Sequence, residues 1–157
     1  MKRMLPAAFA LIFATPALAC EVVRIDDIEI DHAWSRATIG ADRPSVVYLT
    51  IRNTGSTDDA LIGLVTPVAG MPMLHETVVT DGIVSMPHAM SVPVPAGQTV
   101  ALEPGGFHAM LMGLTEALDK GATFPLTLTF QNAGEVTVTV EVLALAAKGP
   151  DCEDSEP

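Results

Sequence analysis

The chain has 157 residues, enough for one domain and one hydrophobic core, and carries a formal net charge of −11. That acid excess disfavours nucleic acid and anionic membrane surfaces, and it mildly favours cations and cationic partners. The simplest use of the charge is solubility.

The first 19 residues read as a secretory signal peptide. Lys2 and Arg3 precede a mostly apolar run from Leu5 to Leu18, and Ala17-Leu18-Ala19 fits a small-x-small cleavage pattern. The run is too short to serve comfortably as a permanent span, and no second apolar run of spanning length follows. Cleavage after Ala19 leaves an exported chain that starts at Cys20. Losing Lys2 and Arg3 takes the basic count from 8 to 6 against 19 acids, so the mature charge is about −13. The two cysteines, Cys20 and Cys152, sit near the two mature ends. Three fates stay open: a disulfide clasp in an oxidising compartment, lipidation of Cys20, or a thiol pair that binds metal. Against lipidation, Ala17 stands where a lipobox usually has leucine.

Strand signals then follow one another. Residues 22–30 are rich in β-branched side chains, with Asp26-Asp27 interrupting them. Residues 45–52 (SVVYLTIR) form a strong strand signal that ends at Asn53-Thr54-Gly55. Residues 60–66 make another. Residues 73–80 and 83–86 flank Asp81-Gly82, a hairpin signal. Residues 99–102 precede the turn Pro104-Gly105-Gly106, and 107–112 follow it. Residues 114–118 fit a single helical turn. Residues 123–130 alternate well, Asn132-Ala133-Gly134 turns the chain, and 135–145 is the last long strand. This pattern predicts an all-β fold, an antiparallel β-sandwich over residues 20–147, followed by an acidic tail at 148–157. The single tryptophan, Trp34, is assigned to core packing, and His32 to a structural or surface role.

The residues with chemistry lie between Met71 and Met112. Ten residues separate His75 from Met86, twenty-one separate Met86 from His108, and Met110 follows two places on. Two imidazoles and two thioethers make a soft, neutral donor set that suits Cu(I). With Asp81-Gly82 as a two-residue turn, His75 faces His88 and Met86 faces Thr77. His75 and Met86 then lie diagonally about 7 Å apart on one sheet face. Pro87 has no N–H, so the pairing is expected to fray just past Met86. His108 and Met110 share a face by strand parity. The bland alternative is that these methionines pack and these histidines sit on the surface.

The pattern His75-x10-Met86-x21-His108-x-Met110 resembles the periplasmic copper chaperone family PCu(A)C. The resemblance extends through Ala33 to Thr38, Val47 to Asn53, Ser91 to Gly97, Pro104 to Leu114 and Pro125 to Phe130. It implies a cupredoxin-like or immunoglobulin-like sandwich located in the periplasm. It also implies that His75, Met86, His108 and Met110 bind Cu(I), and that the metal goes to the Cu(A)-bearing subunit of cytochrome c oxidase or to another copper chaperone. This chain departs from the family in three places. Glu76 stands where many relatives have Met directly after the first His. The tail from Lys148 has neither His nor Met. His88-Ala89-Met90 forms a second HxM near the site, either an alternate ligand pair or an exposed loop, while Met71, Met73 and Met112 read as packing or rim.

Other classes fit less well. A blue-copper carrier needs a Cys thiolate beside two His, and neither cysteine lies in the motif. Thioether ligands hold reduced copper and do not make a hydrolytic Lewis acid, so no enzyme is expected. Copper storage or buffering, or a protein-binding sandwich without metal, remain as alternatives to delivery.

Overall fold

The computed structural model describes residues 20–150 and 152. The expected leader at 1–19 lies outside the described residues, as does most of the expected tail. Twelve strands make up the fold: β1 (Val23–Ile25), β2 (Ile28–Arg36), β3 (Ser45–Asn53), β4 (Asp59–Val65), β5 (Ala69–Glu76), β6 (Val78–Thr80), β7 (Ile83–Ser85), β8 (Val92–Val94), β9 (Thr99–Leu102), β10 (Phe107–Leu114), β11 (Thr123–Phe130) and β12 (Gly134–Leu143). Ten of them form one sheet: nine follow the hydrogen-bonded path β5-β10-β9-β3-β2-β12-β11-β4-β8, β1 is added on β2, and β10 also pairs with β3. The short β6–β7 hairpin forms a separate two-stranded sheet. The architecture is the all-β sandwich expected, but not a purely antiparallel one. β12 pairs with β2 and β10 with β9 in parallel. No helix among the described residues is long and apolar enough to cross a membrane.

Period-2 alternation builds the core. On β11, Phe124, Leu126, Leu128 and Phe130 point inward and are buried, and on β12 Val138, Val140 and Val142 do the same. Val47, Leu49 and Ile51 of β3 close the space with Ala109 and Leu111 of β10. Fully burying one such aliphatic side chain is worth about 1.5–3 kcal/mol relative to leaving it exposed.

The β2 strand changes parity midway. Ile28 and Ile30 enter the core, then the pairing with β3 shifts between Asp31 and Trp34, with His32 at φ 54. After this bulge Ala33 faces the core, while Trp34 joins Tyr48 in a separate small cluster. Trp34 is thus buried, as expected, though not in the main core. Arg36 lies over both rings, 5.3 Å from Trp34 and 5.5 Å from Tyr48, and its Nε donates to the Ala147 carbonyl at 2.8 Å. His32 is partly buried, its Nδ1 2.6 Å from Asp31 Oδ1, in keeping with its assignment.

Residues 114–118 do not form the expected helical turn. Leu118 is anchored in the core, and its backbone bonds to Thr38 on another segment: Thr38 N–H donates to the Leu118 carbonyl at 2.9 Å, and Leu118 N–H donates to Thr38 Oγ1 at 3.0 Å. Those cross-chain bonds take the place of helical ones. Cys20 and Cys152 form a disulfide with Cα atoms 5.6 Å apart across a sequence separation of 132 residues. That is the clasp among the three fates considered.

Candidate metal centre

The β5–β10 ladder separates two kinds of side chain. Leu74 opposite Ala109 faces the core, and both are buried. One residue along, His75 stands directly opposite His108 on the outer face. Their ring centroids are 5.9 Å apart with planes inclined by 30°. The same register sets Met73 opposite Met110 and Met71 opposite Met112. The tight turn before β10 lets this pairing start: Gly105 takes φ 90, a left-handed value that favours glycine, and Gly106 accepts a hydrogen bond from Thr77 N–H at 3.1 Å.

The hairpin brings in the second half of the site. Asp81 and Gly82 have φ values of 52 and 78, as a type I′ turn requires, and Thr80 pairs with Ile83 as the two-residue turn predicts. The regular ladder stops at Ser85 and returns as an isolated bridge between His75 and His88. Pro87, with no N–H to give, lies in the gap; its carbonyl accepts from Glu76 N–H at 3.1 Å. His88 lies edge-on to His75 with centroids 6.0 Å apart. His75 therefore stands between two other imidazoles.

Hydrogen bonding assigns the tautomers. His75 Nδ1 lies 2.9 Å from the Met86 carbonyl, and His108 Nδ1 lies 3.1 Å from the Gly106 carbonyl. A carbonyl only accepts, so each Nδ1 carries the proton and each neutral ring keeps a free lone pair on Nε2. His75 Nε2 is buried and bonded to no protein group, alone in this respect among the described side chains. An unpaired buried acceptor costs about 1–3 kcal/mol, and a backbone-anchored imidazole with its other nitrogen free is the form in which His ligates metals.

Of the four residues singled out by sequence, His75 and His108 come together, and Met110 follows His108 on the same outer face, half-buried. Met86 reaches His75 through its backbone carbonyl, while its side chain is 52% exposed at the rim. Among the described residues no group of three or more His, Cys, Asp or Glu is arranged to hold a metal. A metal here would have to draw on thioether sulfur as well as imidazole. The pairing of Met71 and Met73 with Met112 and Met110 was the feature missed by sequence reasoning. Its signal was present in the shared i, i+2 spacing of MPM and MLM.

The family model of the LpqE-like family, named for a lipoprotein, matches residues 28–142. Lxx21020 of Leifsonia xyli subsp. xyli, also named as a lipoprotein, is 35% identical over 118 residues, which cover 74% of this chain and 70% of that protein. Among solved structures, the copper-bound PCuAC domain from PmoF2 is 25% identical with a TM-score of 0.68, covering 79% of this chain and 98% of that one. The Cu(I) form of DR1885 from Deinococcus radiodurans, solved in solution, is 28% identical with a TM-score of 0.61, covering 78% of this chain and 80% of that one. The apo PCuAC domain from PmoF1 is 25% identical, also with a TM-score of 0.68, covering 79% and 99%.

Proposed function

This chain belongs to the LpqE-like family, whose fold is that of the PCu(A)C copper chaperones, and from that premise we propose that it is an exported copper chaperone carrying Cu(I) on His75, Met86, His108 and Met110. The observation that most supports this is the His75–His108 pair. Two imidazoles held by their Nδ1 atoms offer two unprotonated Nε2 atoms at one spot, one of them buried without a partner. Copper is the cargo, and the chain's task is to hold it and release it. Thioethers add soft donors without charge, which favours the monovalent ion.

The same features suit delivery. All four donors are neutral, so no thiolate traps the metal. An acceptor of the Cu(A) type, presenting thiolates with imidazoles, draws Cu(I) outward. The exposed Met86 on the hairpin rim is the donor an incoming ligand displaces first, while buried His108 is the last to let go. We place this exchange in the periplasm, with the Cu(A)-bearing subunit of cytochrome c oxidase, or another copper chaperone, as acceptor. Residues 1–19 serve as the signal peptide, 20–147 as the copper-binding domain and 148–157 as a tail without a role in binding.

Mixing Cu(I)-loaded protein with a reduced, soluble, apo Cu(A) domain tests the proposal. Copper moves to the acceptor, and His108→Ala lowers loading and transfer together. Retention of copper against excess acceptor at equilibrium would turn the reading to storage or buffering. Failure to bind copper at all would leave a protein-binding sandwich.

A further inference from the structure

The methionines of this chain are distributed in a way that packing does not explain. Outside the first 19 residues there are six, all between positions 71 and 112. Methionine ordinarily fills gaps in cores. Here none of the six belongs to either buried cluster or is packed against one among the described residues. Met86 and Met110 are accounted for by the proposed copper site, and Met90 stands apart, 81% exposed. Met71, Met73 and Met112 remain.

The register brings these three to one place. Met71 lies directly opposite Met112 across the β5–β10 ladder, and Met73 is two residues from Met71 on the same face, diagonal to Met112. Directly opposed residues have Cβ atoms about 4.5–5.5 Å apart, and diagonal neighbours lie within reach of long side chains. β5 ends the sheet path, so this face meets solvent at an edge strand, where Met71 is 54% exposed and Met73 and Met112 are half-buried. An exposed apolar thioether stripe at a sheet edge is a liability for a soluble protein unless it binds something. Three thioethers at neighbouring positions of one face offer a donor set selective for a soft monovalent cation, since hard ions prefer oxygen.

We propose that Met71, Met73 and Met112 form a second, all-thioether site for Cu(I) on the outer face of the β5–β10 ladder, beside the pair of His75 and His108. The pair Met73 opposite Met110, with one residue in each site, makes the two sites neighbours. The second site does not depend on the histidines binding metal. With three uncharged sulfur donors and an open edge it binds more weakly than the site with imidazoles.

Anaerobic titration of the full chain with Cu(I) against a chromophoric chelator tests this, with the methionine methyl groups followed by NMR. The wild type is expected to take up two equivalents. The His75→Ala/His108→Ala variant keeps one, and its binding shifts the methyl resonances of Met71, Met73 and Met112. The Met71→Leu/Met73→Leu/Met112→Leu variant, which conserves side-chain volume, keeps only the tighter equivalent. A triple leucine variant that takes up as much as wild type overturns the proposal, as does a wild type whose single equivalent is lost in the histidine variant. So do unmoved Met71, Met73 and Met112 methyls in the histidine variant. Failure of the histidine reading would look different: the histidine variant would then match wild type in stoichiometry while the leucine variant lost metal.

Discussion

The β5–β10 ladder has two faces made by the same two strands, and they do opposite things. On the inner face Leu74 and Ala109 pair and Leu111 follows, all buried in the main core. On the outer face the same register gives His75 with His108, Met73 with Met110 and Met71 with Met112. Residues one position apart thus pack the core on one side and present the proposed copper donors on the other, because strand side chains alternate. Core contacts fix the two strands from behind, so His75 and His108 are held in place while Met86 and Met71 stay exposed at the edge.

If the two faces are separable, damaging one should spare the other. The largest effect is expected on the inner face: Leu111→Ala should lower unfolding free energy by about 2–5 kcal/mol in a denaturant titration. The folded fraction should still bind Cu(I) with unchanged stoichiometry. A loss of copper stoichiometry in that folded fraction would show that the faces are coupled. Next in size is the clasp. Breaking Cys20–Cys152 by mild reduction should cost about 2–4 kcal/mol, read as a lower Tm, again without touching copper stoichiometry. Because relatives are named as lipoproteins, intact mass of the exported chain is the companion measurement. A mass gain of about 2 Da on reduction supports the clasp, and acylated Cys20 or two free thiols would exclude it.

On the outer face, His108→Ala or Met110→Ala should weaken Cu(I) binding by at least about tenfold, roughly 1.4 kcal/mol, as one donor is lost. Unchanged affinity in both Met86→Ala and Met110→Ala would remove the thioethers from the site. A smaller effect is expected at the hairpin. Gly82→Val forces a β-branched residue into φ 78 and costs about 1–2 kcal/mol locally. It should disturb Met86 and His88 while leaving the His75–His108 pairing in place, so affinity should fall less than for His108→Ala.

Local patterns made much of this legible in the sequence. The alternation of β3 and β11, the Asp81-Gly82 turn and the parity of His108 with Met110 each depend on residues close in the chain, and the hairpin register that sets His75 against His88 followed from turn length alone. What escaped depended on distant partners. Residues 33–36 extend β2 only because a bulge at His32 resets its parity, and a positive φ at a histidine has no sequence mark. β8, three residues with Pro93 in the middle, forms on the edge of β4 and is too short to signal itself. The parallel β2–β12 pairing and the β5–β10 register join segments far apart in the chain. For that reason Met71, Met73 and Met112 read as packing or rim until the register brought the two strands face to face.

In the proposed copper site His75 and His108 bind Cu(I) through Nε2 while their Nδ1 atoms stay on the Met86 and Gly106 carbonyls. Imidazole nitrogen NMR of the chain during addition of one equivalent of Cu(I) tests it most directly. The Nε2 signals of His75 and His108 are expected to shift together, their Nδ1 atoms to remain protonated, and His32 not to move. Unchanged Nε2 signals at His75 and His108 in a protein that has taken up copper would contradict it.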